Sequence, residues 1–349
     1  EEVLDDPAFR KLWTEYIYET VRHFKGRIRH WELTNEPYQQ HSPEYTERLY
    51  RIMIPLIKKA NPDAVIIGPC VHTAFTPWIR KFLESGEMLK GIDVFSYHGY
   101  GMDSDALASI RKFSRQDGKE RLLFDTENSG KCGSQLYCPS YRGAAYSGWM
   151  PPRDSARKMS VNFLRGRGEG MDVYFYYWMM NYDAYEWHHS KGWTMMEFDG
   201  TAKVSGVVYA IAAWMTRDTR PFDGFLIGRD VRCYVFAAPA GNRAMAALWD
   251  ERAGATDLFL PVDGLDVRAH NMMGNPLGIR PVGGTLRLRV TGEPTYVLAD
   301  SPEALVGALR AARNVTRGAP DVGVKGRLDV DAAGRRSLVL ALRSNSVED

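Results

Sequence analysis

The sequence predicts an α/β fold built on a parallel sheet, followed by an all-β region. Between residues 28 and 178, five strand-like runs alternate with helical segments, which is typical of βα units in a parallel sheet. After Lys203, short strand-like runs are separated by turn-forming pairs such as Asp263-Gly264 and Gly283-Gly284. Such short strands with regular turns are typical of an antiparallel sandwich.

The α/β region begins with a helical segment and continues as five strands, each followed by a helix. Apolar residues at helical or alternating spacing define these elements. The predicted strands span residues 28–34, 64–68, 91–98, 121–126 and 172–178. The predicted helices span residues 7–24, 43–60, 77–89, 104–116, 154–165 and 204–217. We interpret this order as part of a (β/α)8 TIM barrel, comprising residues 1–219.

The all-β region follows, and we expect residues 220–300 to form an antiparallel β-sandwich domain. Its predicted strands span residues 231–237, 243–249, 256–260, 285–290 and 295–298. A helical stretch at 302–313 and two strand-like runs at 322–330 and 336–342 come next. We expect residues 301–349 to be the start of a further β-rich segment, truncated before it is complete.

The composition excludes some classes of function. Hydrophobic residues make up 44% of the chain and charged residues 25%, and the formal net charge is +2. Without a basic stripe interleaved with aromatic residues, nucleic acid is not an expected partner, and no apolar run reaches the length of a membrane span. Four cysteines are too few for a disulfide scaffold. Cys132 and Cys138 could close a small loop or remain two free thiols, and we expect neither zinc nor a cofactor.

Two glutamates stand where predicted strands run into loops. Glu36 lies in Asn35-Glu36-Pro37 after the first strand, and Glu127 ends the fourth. Two carboxylates at the mouths of parallel strands are what the cleavage of a glycosidic bond requires. Strand alternation places Leu123, Asp125 and Glu127 on one face. Glu127 lies nearest the mouth and is the favoured nucleophile, whereas Asp125 is expected to be a buried carboxylate held by neighbouring donors.

The motifs resemble those of retaining glycoside hydrolases of clan A, most closely family 39. The motifs that carry the resemblance are Asn35-Glu36-Pro37, His98-Gly99-Tyr100, Glu127, Trp178 and the Asp-Gly-x-x-Lys stretch at 199–203. In that clan the acid/base glutamate follows strand 4 and the nucleophile follows strand 7. The resemblance therefore implies that Glu36 is the acid/base and Glu127 the nucleophile. Thr34 departs from the tryptophan common at that place in family 39.

The resemblance and the strand faces also indicate residues that bind substrate. Asn35 would contact the sugar 2-hydroxyl, or would simply form a turn. Tyr100 would hold the nucleophile ionised, and His98 would donate to the same carboxylate or to a sugar hydroxyl, unless it is structural. Trp178 would form the floor of the −1 subsite, and Trp193 a further subsite; either indole could instead pack in the core or in its loop.

The same resemblance makes the strand that leads to Glu36 the fourth of eight, although only about thirty residues precede it. We therefore expect the sequence to be a fragment that lacks the first three barrel strands. The expected activity is retaining hydrolysis of a β-linked glycoside, with a carbohydrate as the partner and a secreted or periplasmic location favoured. The alternatives are a transglycosidase with the same residues and a catalytically silent carbohydrate-binding barrel.

Overall fold

The computed structural model describes residues 2–129, 151–177, 179, 194–196, 199–252, 254–315, 322–330 and 336–344. The chain divides into two compact units, Glu1–Trp214 and Met215–Asp349. The first unit holds a parallel sheet with helices, and the second holds antiparallel sheets. The coarse prediction of an α/β region followed by an all-β region is therefore confirmed, while the domain boundaries at 219 and 300 remain predictions.

The described residues of the first unit form five strands in the order β1-β2-β3-β4-β5, and all neighbouring pairs are parallel. The strands are β1 (His30–Glu32), β2 (Val65–Val71), β3 (Val94–His98), β4 (Leu122–Asn128) and β5 (Val173–Tyr176). The helices are α1 (Pro7–His23), α2 (Pro43–Ala60), α3 (Thr76–Leu83), α4 (Glu87–Gly91), α5 (Ser104–Ser114), α6 (Pro152–Gly168) and α7 (Val204–Met215). Each predicted strand is present, although β1, β3 and β5 are shorter than expected.

Side-chain caps explain where several of these helices begin. Asp6 accepts hydrogen bonds from the first-turn N–H groups of α1, Ser42 caps α2 and Asp103 caps α5. The single helix predicted over residues 77–89 is wrong, because the structure divides it into α3 and α4. Gly86, between them, has a φ of 67°, a left-handed conformation that interrupts a right-handed helix.

The two faces of the parallel sheet have different environments. One face packs against the helices in a continuous core that includes the fully buried Tyr50, Ile66, Phe82 and Phe95. The other face holds a small cluster of Ile67, Val94 and Phe124 and a hydrogen bond of 2.9 Å from Thr126 Oγ1 on β4 to Glu32 Oε1 on β1. In a flat sheet these two strands would lie about 14 Å apart. The sheet is therefore strongly curled, with that face on the inside.

The second unit is built from antiparallel ladders. Its strands are β6 (Arg220–Ile227), β7 (Val231–Ala237), β8 (Ala244–Asp250), β9 (Ala255–Pro261), β10 (Arg268–His270), β11 (Thr285–Thr291), β12 (Thr295–Ala299), β13 (Arg313–Val315), β14 (Val322–Val330) and β15 (Arg336–Ser344). A five-stranded sheet has the order β10-β12-β8-β7-β6, a three-stranded sheet the order β11-β9-β13, and β14 pairs with β15. Helix α8 (Pro302–Arg310) adds Leu305 and Leu309 to the core that the strands share.

Three of the described strands of this unit were not predicted. Strand β6 is an edge strand that contains Pro221 and Gly224, and most of its residues are exposed, so its sequence lacks an apolar alternation. Strands β10 and β13 have only three residues each, too few to show a period. Among the helices of the described residues, none is both long and apolar enough to cross a bilayer.

Candidate active site

Four successive parallel strands bring polar side chains to one edge of the curled sheet. Glu36 follows β1, Cys70 lies near the end of β2, His98 ends β3 and Glu127 lies near the end of β4. Because the strands are parallel, their carboxyl ends meet at the same edge. The contacts among these side chains define the candidate site.

The Glu36 carboxylate is held by three side chains. Its Oε1 accepts a hydrogen bond of 2.8 Å from Tyr38 Oη and lies 2.8 Å from His98 Nδ1. Its Oε2 accepts a hydrogen bond from Gln39 Nε2. About a fifth of the Glu36 side chain is exposed (22%), so the carboxylate can meet a ligand while its orientation is fixed.

The position of Glu36 does not follow from strand alternation. Strand β1 ends at Glu32, and Glu36 itself has φ 45° and ψ 52°, in the left-handed region, where it precedes the short 3-10 turn Pro37–Gln39. Non-glycine residues adopt this conformation only where their surroundings hold them there, and such residues cluster at functional sites. The turn also brings Tyr38 and Gln39 back against the carboxylate.

Tyr38 is a site residue that the sequence did not indicate. Its ring stacks on Phe75, with centroids 4.2 Å apart, and burial followed by the hydrogen bond to Glu36 raises the pKa of Tyr38 above its ordinary value. The phenol therefore stays protonated and remains a donor to Glu36. The sequence did carry a signal for Tyr38, because it lies two residues after Glu36 and directly follows Pro37. A turn at this proline returns the Tyr38 side chain to the Glu36 carboxylate.

His98 is the central residue of the site and is almost completely buried (1% exposed). Its Nδ1 lies 2.8 Å from Glu36 Oε1, and its Nε2 lies 3.1 Å from Cys70 Sγ. The Glu127 Oε2 atom is more distant from Nε2, at 3.9 Å. We expected His98 to donate to Glu127 or to a sugar hydroxyl. In the structure its short contact with a carboxylate is with Glu36.

Glu127 accepts a hydrogen bond of 2.9 Å from Tyr100 Oη at its Oε1 atom. Burial, followed by the charge of Glu127, raises the pKa of Tyr100. The phenol therefore remains protonated and remains a donor to Glu127 Oε1. About a fifth of the Glu127 side chain is exposed (20%), so this carboxylate is also open to a ligand.

Asp125 and Glu127 do not share a face, contrary to the prediction. The ladder between β3 and β4 pairs Tyr97 with Asp125 but His98 with Glu127, so one residue of β4 is bulged between the two pairs. A bulge shifts the alternation by one residue. Glu127 therefore lies on the His98 face and points to the site, whereas Asp125 lies on the opposite face.

Asp125 is buried (2% exposed), and it accepts hydrogen bonds from the Gly99 N–H at 3.0 Å and from Asn128 Nδ2 at 2.7 Å. Burial raises the pKa of Asp125 to about 8. A Cβ atom at position 99 would collide with the carboxylate and with the Asn128 amide. The glycine between His98 and Tyr100 is therefore required by its close approach to Asp125.

Glu32 lies on the inner face, where its Oε1 atom accepts the hydrogen bond from Thr126. Its side chain is exposed on the open side of β1, but the surrounding protein displaces enough water to raise the pKa of Glu32, against the hydrogen bonds from Ser96 and Thr126. Asn35 is exposed, with its Oδ1 atom 3.9 Å from Cys70 Sγ.

Trp178 and Trp193, predicted to bind sugar, lie outside the described residues, as do Cys132 and Cys138. Within the described ranges, no group of three or more His, Cys, Asp or Glu residues is placed to hold a metal ion.

No protein-family model matches the sequence, and neither does any curated protein. The structure is similar to that of a family 39 glycoside hydrolase from the gut symbiont Bacteroides cellulosilyticus WH2, with a TM-score of 0.64 and 18% identity. That likeness covers 82% of this chain and 61% of the other, so the chain spans less than two thirds of that protein's length.

Two family 30 enzymes are also similar in structure. A GH30 endoxylanase from Clostridium papyrosolvens C71 has a TM-score of 0.57 and 14% identity, over 83% of this chain and 71% of the other. A family 30 subfamily 8 xylanase from Clostridium acetobutylicum has a TM-score of 0.56 and 12% identity, over 84% and 73%. The resemblance indicated by the sequence motifs is thus confirmed for the fold: this chain has the fold of family 39 and family 30 glycoside hydrolases.

Proposed function

We propose that the protein is a retaining glycosidase that hydrolyses a β-linked glycoside, with Glu36 as acid/base and Glu127 as nucleophile. The observation that carries the proposal is the pair of partly exposed carboxylates on either side of the buried His98 ring, 2.8 Å and 3.9 Å from its two nitrogens. Paired carboxylates that both reach a ligand are the requirement of glycosidase chemistry. The fold shared with glycoside hydrolases supports the proposal.

In the first step Glu127 attacks the anomeric carbon while Glu36 donates its proton to the departing glycosidic oxygen. The carbon–oxygen bond to the leaving group breaks, and a bond to Glu127 forms. Tyr100 supports Glu127 as the nucleophile, because the Tyr100 hydroxyl donates to Glu127 Oε1 and keeps the carboxylate oriented. Glu127 reaches the mouth of the site because of the bulge in β4.

In the second step Glu36 accepts a proton from water, and the water oxygen attacks the anomeric carbon and displaces Glu127. The same residue thus acts first as acid and then as base. Tyr38, Gln39 and His98 hold the Glu36 side chain in one orientation through both steps. Each reaction step needs only these side chains and water.

We also infer that the five parallel strands are part of an eight-stranded barrel, in which β1 is the fourth strand and β4 the seventh. The curl measured by the contact between Glu32 and Thr126 supports closure into a barrel. The inner face is partly open, because Leu122 at the start of β4 and Phe175 on the edge strand β5 are each about half exposed. Apolar side chains in such positions would be covered by further strands.

The test is covalent trapping with activated 2-deoxy-2-fluoro β-glycosides. The panel should include xylosides, because two structures with this fold belong to xylanases, and also glucosides. We expect a stable adduct on Glu127, detected by the mass of its proteolytic peptide. An adduct on another residue, or turnover of a β-glycoside without any adduct, would contradict the assignment. A protein that binds sugars but neither turns over nor is labelled would be a carbohydrate-binding barrel instead.

A further inference from the structure

Cys70 contacts the candidate site but takes no part in the steps above. Its side chain is fully buried, and its backbone has a φ of 58°, in the left-handed region. Its own N–H donates to Ser96 Oγ at 3.0 Å, and its Sγ atom accepts a hydrogen bond from the Glu36 N–H at 3.3 Å. The thiol is therefore fixed between the backbone of Glu36 and the ring of His98.

The contact of the Nδ1 atom with Glu36 determines which atom donates the hydrogen bond between Cys70 and His98. Both oxygens of Glu36 accept hydrogen bonds, so His98 Nδ1, 2.8 Å away, fits there as a further donor. A neutral imidazole carries a hydrogen on only one nitrogen. The Nε2 atom is then an acceptor, and the Cys70 thiol, 3.1 Å away, is placed to donate to it.

The surroundings of Cys70 keep its thiol protonated. Burial raises the pKa of Cys70, and the charge of Glu32 is the next cause. The titratable groups that face the sulfur from the surrounding elements are Glu32, Glu36, Tyr38, Tyr50, His98 and Glu127. A neutral thiol has one hydrogen to donate, and Asn35 Oδ1, at 3.9 Å, is a more distant acceptor than His98 Nε2.

We propose that Cys70 is a positioning residue: its thiol donates to His98 Nε2 and holds the ring in the tautomer that presents Nδ1–H to Glu36. The effect on catalysis rests on the proposed function, whereas the hydrogen bond itself does not. Without the thiol, Nε2 would face Glu127 Oε2 at 3.9 Å with no donor beside it. The ring would then no longer be held in this tautomer, and a hydrogen on Nε2 would point to Glu127.

The test is nitrogen NMR of the histidine rings in wild type, Cys70→Ala and Cys70→Ser. The chain has eight histidines, so a His98→Gln variant identifies the His98 signals. We expect wild type at neutral pH to show Nδ1 protonated and Nε2 unprotonated, and Cys70→Ala to show Nε2 protonated. Cys70→Ser should return the ring to the wild-type state, because a hydroxyl donates in place of the thiol. A wild-type ring with its hydrogen on Nε2, or an unchanged ring in Cys70→Ala, would overturn the proposal.

Activity and a matched control separate positioning from packing. Cys70→Ala should lower kcat about tenfold, with a smaller change in KM, as expected for one lost hydrogen bond, and Cys70→Ser should restore most of it. The control is Cys233→Ala, which removes an equally buried thiol from β7 and should leave both kcat and the His98 signals unchanged. If the protein proves inactive on every glycoside, the proposed function fails, while the NMR result still decides the role of Cys70.

Discussion

Carboxylates at strand ends occur in both units, and their partners distinguish them. In the second unit Asp250 ends β8, is buried, and accepts hydrogen bonds from the N–H groups of Arg252 at 2.9 Å and Gly254 at 3.3 Å. It also accepts a hydrogen bond from Thr256 Oγ1 at 3.1 Å. All three donors belong to the turn that follows the strand or to the start of the next strand. Asp250 thus closes its own turn.

In the first unit, by contrast, Glu36 and Glu127 each have a partner from another βα unit, in addition to the Tyr38 and Gln39 side chains of its own turn that hold Glu36. His98, which ends β3, contacts Glu36 of the segment after β1, and Tyr100 donates to Glu127 on β4. Topology explains the difference, because parallel strands bring all their carboxyl ends to one edge, whereas antiparallel neighbours end at opposite edges. Among the contacts described above, a partner from another strand or its following segment therefore distinguishes Glu36 and Glu127 from Asp250.

The largest expected effect comes from exchanging the two kinds of carboxylate for alanine. Glu127→Ala should lower kcat/KM by about 10⁴-fold or more, because it removes the nucleophile, while the free energy of unfolding changes little. Asp250→Ala should leave kcat unchanged and lower the free energy of unfolding by about 1–3 kcal/mol, because buried donors lose their acceptor. Kinetics and denaturant unfolding of both variants measure the contrast. Equal losses of activity would abolish the distinction.

The next effect is the pH dependence of stability due to Asp125. Its pKa is about 8 in the folded protein and about 4 in an unfolded chain, so the folded state binds more protons between these values. The free energy of unfolding should therefore fall as pH rises from about 4 to 8, by up to about 1.4 kcal/mol per pH unit. Asp125→Asn should remove this contribution. Urea unfolding of both proteins at pH 5, 6 and 7 tests it, and parallel pH profiles would contradict the account.

A smaller effect is expected when the tyrosine that holds the nucleophile loses its hydroxyl. Tyr100→Phe should lower kcat about 10- to 100-fold, because a hydrogen bond to a charged group contributes about 1.5–3 kcal/mol. The matched control is Tyr296→Phe in β12, since the buried Tyr296 hydroxyl has no hydrogen-bond partner among the described residues. That control should retain full activity. A Tyr100→Phe variant as active as wild type would remove Tyr100 from the mechanism.

The last comparison concerns stability alone and contrasts two glycines. Gly99→Ala should lower the free energy of unfolding by about 1–3 kcal/mol, because the added methyl group collides with Asp125 and Asn128. Gly307→Ala in α8 meets no atom within 4 Å and should stabilise the protein by about 0.5–1 kcal/mol through helix propensity. Thermal unfolding measures both. A Gly99→Ala variant as stable as wild type, or more stable, would show that the close approach of Gly99 is not a constraint.

The sequence predicted the strands of the parallel sheet because their apolar runs are bounded by turn residues. Helix α2 was predicted with the bounds it has, since Pro43 begins it and Asn61-Pro62-Asp63 follows it. The same reasoning failed at Gly86, where one glycine divides a helical pattern, and at β6, an edge strand without apolar alternation. Long periodic segments are therefore predictable, whereas single-residue interruptions depend on tertiary contacts.

The site was predictable in part, because the positions of Glu36 and Glu127 after predicted strands marked one edge of a sheet. The bulge that separates Glu127 from Asp125 was not predictable, since it arises from pairing with β3 and leaves no trace in the residue alternation along β4. Cys70 was missed because the predicted strand ended at Gly68, and an isolated cysteine beyond it gave no sign of its partners. Its contact with His98 exists only because β2 and β3 are neighbours.

The most direct test of the proposed mechanism is azide rescue of Glu127→Ala in the intact protein, with an aryl β-glycoside as substrate. Azide can enter the space left by the Glu127 carboxylate and attack the anomeric carbon from the side that the carboxylate occupied, opposite the leaving group. We predict that added azide restores turnover and yields the α-glycosyl azide, with inverted configuration, identified by proton NMR. Rescue that instead yields the β-glycosyl azide would indicate that Glu127 is the acid/base and would contradict the assignment of the two glutamates.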